Sequence, residues 1–195
     1  MSSRLRKLQL VVLLLLGALL LAACGDSHTR ITTGTYAGEA GKAAPYLYVG
    51  PLIYQVQLSR ELNPYNSEDA TYLEGLSPAE RKLEPDQEWF AVFVQVYNNS
   101  ARAYTDANRI TISDTQENVY TPLALSASSQ FAYRPGPVPA KGQIPSPETA
   151  AGSFGTEGAL LLYKIQLASL DNRPLEIKIV NPEHPSESAS AELDV

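Results

Sequence analysis

The stretch that decides the fold is Trp89-Phe90-Ala91-Val92-Phe93-Val94-Gln95-Val96-Tyr97. Its even positions are all apolar and its odd positions carry the larger or more polar side chains, which is the period of two expected of a β-strand. The three valines and two phenylalanines favour a central strand. The sequence therefore predicts a strand that packs its even face into a hydrophobic core.

The same alternation recurs along the chain. Further strands are predicted at 52–58, 110–113, 118–123, 130–133, 159–167, 175–180 and 189–195. The final one alternates alanine, leucine and valine with polar residues, and we expect it to close the fold as an edge strand. Short strands separated by turns rich in Pro, Asn and Gly predict an all-β protein, an immunoglobulin-like antiparallel β-sandwich spanning residues 45–195.

One insertion, residues 60–86, lies between the first two predicted strands and carries helical patterns. Ser77-Pro78-Ala79-Glu80 has the residues of a capping box, with proline at the first helical position. A second cap is available at Ser67, with Gly75 as the stop. We expect a short helix here.

Residues 1–23 have the pattern of an export signal peptide. Three basic residues, Arg4, Arg6 and Lys7, precede an apolar run that is too short to span a bilayer as a helix. The run ends in Leu21-Ala22-Ala23-Cys24, which resembles the lipobox of bacterial lipoproteins. The resemblance implies that Cys24 is diacylated with fatty acids such as palmitate and becomes the mature N-terminus. The alternative is an ordinary cleaved signal in which Cys24 is incidental.

Residues 24–44 show no periodicity and predict a flexible tether between the acylated cysteine and the folded domain. The implied location is the extracytoplasmic face of the cell membrane, with the lipid bilayer as a partner through acylated Cys24. Removal of residues 1–23 takes away three basic side chains and no acidic ones, so the formal charge moves from −6 to −9. An acidic chain without clustered Lys and Arg argues against a nucleic-acid partner.

Four segments resemble a known family. The segments 90–100, 112–120, 157–163 and 174–177 are similar to the immunoglobulin-like domain of unknown function that occurs in bacterial secreted lipoproteins and in the mycobacterial immunoprotective extracellular protein type. The resemblance covers about residues 45–195 and supplies no catalytic residues. It departs from the family's pattern at 115–118, where no glycine is present, so we expect Asn118 to adopt any left-handed conformation in that turn.

Candidate catalytic and metal-binding residues are few. The chain has one cysteine and two histidines, His28 in the tether and His184 in a proline-flanked loop, which argues against a metal site, a cofactor and a histidine-dependent catalytic triad. Carboxylates cluster at 68–69 and near 86–88, but their spacing singles out no acid–base pair and is typical of solvated loops.

The most suggestive surface is aromatic. The chain has 11 Tyr against 4 Phe and 1 Trp, and Trp89, Phe93 and Tyr97 fall on the odd face of the central strand. These three residues are the candidate binding face. The alternative, which the cost of a bare apolar patch in a monomer favours, is that the 60–86 insertion folds over them and buries them.

Three function classes remain open. The leading hypothesis is a membrane-anchored, non-catalytic binding module for an envelope protein or a small ligand. The second is a structural or accessory subunit of an envelope complex that pairs through its last strand. The third is a small envelope enzyme, which the absence of a catalytic constellation in the sequence makes the weakest.

Overall fold

The computed structural model describes residues 46–153 and 158–193. The predicted signal peptide 1–23, Cys24 and the tether 24–44 lie outside the described residues. No helix within the described ranges has the length and apolar character needed to cross a bilayer.

The described chain forms eleven strands and two short helices. In chain order they are β1 (Tyr46–Val49), β2 (Leu52–Leu62), α1 (Ser67–Leu73), β3 (Gln87–Tyr97), β4 (Tyr104–Thr105), β5 (Arg109–Ser113), β6 (Val119–Tyr120), β7 (Pro137–Val138), β8 (Gln143–Ile144), β9 (Ala159–Gln166), α2 (Ala168–Asp171), β10 (Leu175–Val180) and β11 (Ser188–Leu193).

Two antiparallel sheets face each other. The first is five-stranded, with β1, β2 and β3 in order and with β8 and β9 both paired to the far side of β3. The second is four-stranded in the order β11-β10-β5-β6, and β4 pairs with β7 in a small separate ladder. The predicted antiparallel β-sandwich with a minor helical insertion is confirmed, and β11 is an edge strand as its alternation predicted.

The main core lies between the sheets and includes the even face of β3. Phe90, Val92, Val94 and Val96 are fully buried there, against residues such as Ile177 from the opposing sheet. The hydrogen-bonded sheets and their core are formed by residues within 46–153 and 158–193, so these ranges contain a core of their own.

The odd face of β3 is also buried, which corrects the exposed aromatic face. Trp89 and Phe93 are 2% and 0% exposed. They belong to a second apolar cluster on the outer side of the five-stranded sheet, where α1 covers them. The ring of Tyr72 from α1 makes edge contacts with Phe93 at 5.1 Å and with Phe131 at 5.0 Å between centroids. The alternative, burial by the insertion, is what the structure shows.

A β-bulge in β2 lets this one strand contribute apolar side chains to both clusters. The β2–β3 register shifts between Val56, which pairs with Val94, and Leu58, which pairs with Phe93. Because Gln57 is an extra residue, the even-numbered side chains of β2 face the core between the sheets before the bulge and the outer cluster after it. The period-two pattern predicted across 52–58 therefore holds only as far as Val56.

The insertion lies between the strands predicted at 52–58 and 89–97, as expected, but its bounds differ, and its helix is the second of the two predicted, with Asn66 in place of Ser67 as the cap. Strand β1 precedes the first predicted strand and β2 continues to Leu62, so the insertion follows the second strand and occupies 63–86. The helix is α1, capped by the side chain of Asn66. The capping box at Ser77 and Glu80 forms, with the Glu80 carboxylate accepting from the Ser77 hydroxyl at 2.7 Å, but it closes only a turn.

Two predicted strands are shorter or absent, and one turn differs. The segment predicted as a strand at 118–123 is paired only at Val119–Tyr120, and 130–133 forms an isolated parallel bridge from Ala132 to Leu160 instead of a strand. In the 114–118 turn the left-handed residue is Glu117, with φ of 64°, and not Asn118.

Candidate functional site: a cleft at the open edge of the sandwich

A cleft of about 430 Å³ lies where the two sheets separate. Three segments form it: the start of β5 with the two residues before it, the chain after β6, and the chain after Phe131. The described residues that line it lie in 107–111, 121–125 and 132–135, together with Leu160 and Leu161 of β9.

The cleft opens because the β5–β6 ladder ends early. Ile112 pairs with Tyr120, and the N–H of Asp114 donates to the carbonyl of Asn118 at 3.2 Å. Alternate residues of a strand direct their N–H and C=O groups to the same neighbour, so the peptide groups of Ile110 point to this side as well. The same register places Pro122 opposite Ile110, and proline has no N–H to continue the ladder.

Beyond Pro122 the chain crosses to the other sheet. The N–H of Leu123 donates to the carbonyl of Leu162 at 2.8 Å. Further on, Leu160 donates to the carbonyl of Phe131 at 2.7 Å and accepts from the N–H of Tyr133 at 2.8 Å. These bonds hold both segments on the edge of β9, so they form one wall of the cleft while β5 forms the other.

The floor of the cleft is apolar and its rim is cationic. Ile110, Leu160 and Leu161 are buried at the base. Arg109 and Arg134 are exposed at the rim, and the described lining contains no carboxylate. In a protein with a formal charge of −6, this lining is locally positive.

The two arginines are held differently. Arg134 donates through Nη2 to the carbonyls of Ser126 and Ser129, which ties the loop between them to the rim. Among the described residues, no acidic side chain pairs with Arg109. Arg109 borders this cleft and also a smaller cavity that Asn181, Pro182 and Pro185 line.

A buried polar cluster lies beside the cleft. The Tyr133 hydroxyl donates to the carbonyl of Ala107 at 2.8 Å, and the N–H of Ala107 donates to the Tyr54 hydroxyl at 2.7 Å. The neighbouring Asp106 is 0% exposed and accepts from the N–H of Gly136 at 2.6 Å. Its Oδ2 has no hydrogen-bond partner among the described residues. Burial raises the pKa of Asp106, and it also raises the pKa of both tyrosine hydroxyls.

The third residue of the predicted aromatic face, Tyr97, is half-buried and lies apart from Trp89 and Phe93. Register places it in a row across the outer face with Tyr48, Ile53 and Gln143. Its hydroxyl donates to Oε1 of Gln95. The exposed aromatic residues of this sheet are those of β1, where Tyr46 and Tyr48 are 57% and 45% exposed.

The carboxylates singled out in the sequence serve other contacts. Asp69 is buried, and its oxygens accept from Arg60 at 2.5 Å and from the N–H of Asn63 at 2.8 Å, which ties α1 to β2. Glu88 is half-buried, and burial followed by the nearby charge of Glu61 raises its pKa to about 7. Within the described ranges, no three His, Cys, Asp or Glu side chains are grouped to hold a metal ion. His184 is exposed in its loop, as predicted, and His28 lies outside the described residues.

The sequence analysis did not find the cleft, although one pattern pointed to it. Pro122 lies inside the strand predicted at 118–123, and a proline within an apparent strand indicates that pairing ends there or that the strand is at an edge. The convergence of 121–125 and 132–135 on β9 depends on tertiary contacts that no local pattern encodes.

No family model matches the chain, and no curated protein matches it. Among solved structures, the yjhA protein of Bacillus subtilis is similar with a TM-score of 0.50 and 10% identity, over 80% of this chain and 99% of that one. At this identity the likeness shows the fold alone.

Two further structures are similar at lower scores. The ycdA protein of Bacillus subtilis, a candidate lipoprotein, has a TM-score of 0.45 and 10% identity over 76% of this chain and 38% of its own. An uncharacterized β-sandwich protein of Clostridium difficile has a TM-score of 0.42 and 8% identity over 86% of this chain and 97% of its own. The neighbours are thus bacterial proteins, one of them named as a β-sandwich and one as a candidate lipoprotein.

Proposed function

We propose that the protein is a lipoprotein anchored through acylated Cys24 at the extracytoplasmic face of the membrane, and that its sandwich is a non-catalytic module that binds a small ligand in the cleft. The observation that carries the binding role is the cleft itself. Its volume of about 430 Å³ falls within the range of small-molecule sites, about 300 to 1,000 Å³.

The composition of the cleft supports a ligand site. Sites of this kind combine an apolar lining with a few polar groups that orient the ligand. Here the apolar base is formed by Ile110, Leu160 and Leu161, and the polar groups are the guanidinium of Arg109 and the peptide of Ile110. The aromatic face Trp89, Phe93 and Tyr97 is withdrawn as the site, because the first two residues are buried.

The anchor is supported by the sequence Leu21-Ala22-Ala23-Cys24 after a basic and apolar leader. Two acyl chains give a stable membrane anchor where one gives only reversible binding. We infer further that the domain is similar to the mycobacterial immunoprotective type, and the segments 90–100, 112–120, 157–163 and 174–177 support this likeness.

A binding role without catalysis is supported by the groups around the cleft. Among the described residues, no histidine or carboxylate lines it, so a nucleophile with a neighbouring base is not assembled there. Asp106 lies close by but is fully buried behind the lining.

A second candidate function is a structural or accessory subunit of an envelope complex. The position of β11 favours it, because Ser188–Leu193 forms one edge of the four-stranded sheet and an edge strand can pair with another chain. Co-purification of one fixed protein from detergent-solubilised membranes, lost in Ser190→Pro, would support this role over small-ligand binding.

The test of the binding role uses Nile red, a neutral apolar dye, and a chain that begins at Gly25. Ala124 is exposed in the cleft lining, so Ala124→Trp fills the cleft from its rim. Ala140→Trp, in an exposed turn outside the lining, is the matched control. We expect saturable dye fluorescence that Ala124→Trp abolishes and Ala140→Trp retains. Equal binding by both variants would place the dye elsewhere and contradict the proposal.

A further inference from the structure

We propose that the ligand of the cleft is a single-chain amphiphile with an anionic head group, its head at Arg109 and its tail on the apolar floor. This inference rests on the proposed function, since it names the ligand class of the same site. Three features of the cleft carry it: its charge, its unpaired backbone and the shape of its apolar surface.

The charge of the lining selects an anion. The described lining holds two guanidinium groups and no carboxylate, although acidic residues outnumber basic ones in the whole chain by 21 to 15. Arg109 has no acidic partner among the described residues, so a bound anion would satisfy donors that the protein itself leaves to solvent. A guanidinium matches a carboxylate or phosphate with two parallel hydrogen bonds.

The backbone supplies a further donor beside this charge. By register, the N–H and C=O of Ile110 point to the side of Pro122, and no hydrogen bond joins these two residues in the described part of the chain. Proline lacks the N–H that would pair with the Ile110 carbonyl. An N–H adjacent to an arginine is suited to an oxyanion or to the carbonyl that follows a head group. A cationic head would meet repulsion from Arg109 and Arg134.

The apolar part of the cleft suits a chain. Leu123 and Leu125 are half-buried along its wall, where they pack on Leu160 of the outer cluster. Ile110 and Leu161 also line the cleft, but they belong to the core between the sheets and are only 2% and 4% exposed. The methyl groups of leucine and isoleucine favour methylenes over a polar ring. Each methylene that enters such a surface should tighten binding about fourfold.

The experiment compares head groups on one tail. Decanoate, decyl phosphate, decanol and decyltrimethylammonium are titrated below their micelle concentrations into the chain that begins at Gly25, by calorimetry and by displacement of Nile red. We expect either anion to bind at least tenfold more tightly than decanol or the cation. The tighter of the two anions identifies the head as carboxylate or phosphate.

Matched variants locate the head. Arg109→Gln should weaken binding of the anions about five- to tenfold and leave decanol unchanged. Lys82→Gln removes one positive charge from an exposed position outside the cleft, and we expect it to change neither the binding of the anions nor the binding of decanol. Octanoate should bind about fifteenfold more weakly than decanoate, two methylenes at fourfold each.

Two outcomes would overturn the inference of an anionic ligand. Only the second would also overturn the proposed binding function of the cleft. If all four head groups bind within about twofold of one another, the cleft binds apolar chains without selecting an anion, and the proposed function stands. If none binds and Nile red is not displaced, the proposed function fails with it. The head-group comparison needs no variant, so a variant that fails to fold does not leave the inference untested.

Discussion

Pro122 occupies the place that the β5–β6 register assigns to the partner of Ile110, and both residues line the cleft. Because proline has no N–H, the ladder ends after Tyr120 and the chain turns toward β9. Proline at this register position thus coincides with the end of the ladder, and the cleft lies at the same point.

The outer side of the five-stranded sheet should be as important to stability as the inner side. Phe93→Ala removes a fully buried ring that packs on Tyr72, and we expect it to cost about 3 to 5 kcal/mol in the free energy of unfolding. Tyr46→Ala, at a residue 57% exposed, should cost no more than about 0.5 kcal/mol. Urea unfolding measures both. Equal and small effects would mean that the insertion does not cover β3.

The Arg60–Asp69 pair should hold the insertion in place. Asp69→Asn keeps the shape but removes the charge that accepts from Arg60, and we expect a loss of about 1 to 2 kcal/mol, since Arg60 is partly exposed. Limited proteolysis should then cut within 63–86 sooner. Glu74→Gln, at an exposed position after α1, is the control, and its rate of cleavage should equal that of the wild type.

The same pair gives a pH dependence. Burial alone would raise the pKa of Asp69, but hydrogen bonds from Arg60 and Asn63 outweigh burial and lower it below 3.8. A carboxyl with a lowered folded-state pKa contributes stability above its unfolded pKa and loses it as the pH falls through the folded value. The stability difference between wild type and Asp69→Asn should therefore shrink below about pH 4, measured by urea unfolding.

Glu88 should destabilise the fold at neutral and higher pH. Its pKa rises from 4.5 to about 7 because of burial and the charge of Glu61. The folded state then keeps a proton that the unfolded state has lost, so stability falls as the pH rises from about 4.5 to about 7. Glu88→Gln should raise the free energy of unfolding by about 1 kcal/mol at pH 8, after allowance for partial exposure, and change it little at pH 4.

The control for this pH effect is Glu183→Gln in an exposed loop. Its difference from wild type should be similar at pH 4 and pH 8. An effect of Glu88→Gln that is the same at both pH values would show that the surroundings of Glu88 do not raise its pKa.

The membrane anchor is tested by Cys24→Ala. Without its sulfur the N-terminus cannot be diacylated, and we expect the variant to be lost from the detergent phase in detergent partitioning. Cells labelled with radioactive palmitate should label the wild type only. A Cys24→Ala protein that still carries label and still partitions with lipid would contradict lipidation at this residue.

The alternation of apolar residues along 89–97 and 175–180 predicted β3 and β10, because a strand with one buried face places an apolar side chain at every second position. It did not reveal that the odd face of β3 is covered. Trp89 and Phe93 have the same sequence pattern whether they meet solvent or Tyr72. Which of the two occurs depends on where α1 folds, and local pattern does not determine that.

The helical positions show the same limit. Ser77 and Glu80 form the expected capping contacts, but the residues that follow, 81–85, bring one leucine and a proline, so no apolar face is available to extend the helix. The segment that became α1 carries Tyr72 and Leu73, which bury against β3. Packing, and not the stronger cap, selected the helix.

The site was partly readable from the sequence. Pro122 within an apparent strand indicated a break in pairing, but the opposing wall comes from 132–135, which reaches β9 through long-range hydrogen bonds of Leu160. The positive charge of the lining comes from Arg109 and Arg134, which lie 25 residues apart in the sequence.

Ligand binding in the cleft is tested most directly by a two-dimensional ¹H–¹⁵N NMR titration of the chain that begins at Gly25 with decanoate. We expect the shifted backbone amides to fall in 107–111, 121–125, 132–135 and 160–161, with the Ile110 N–H moving downfield as it gains an acceptor. Shifts confined to the outer face around Tyr46, Tyr48 and Tyr97, or no saturable shifts at all, would contradict a ligand site in the cleft.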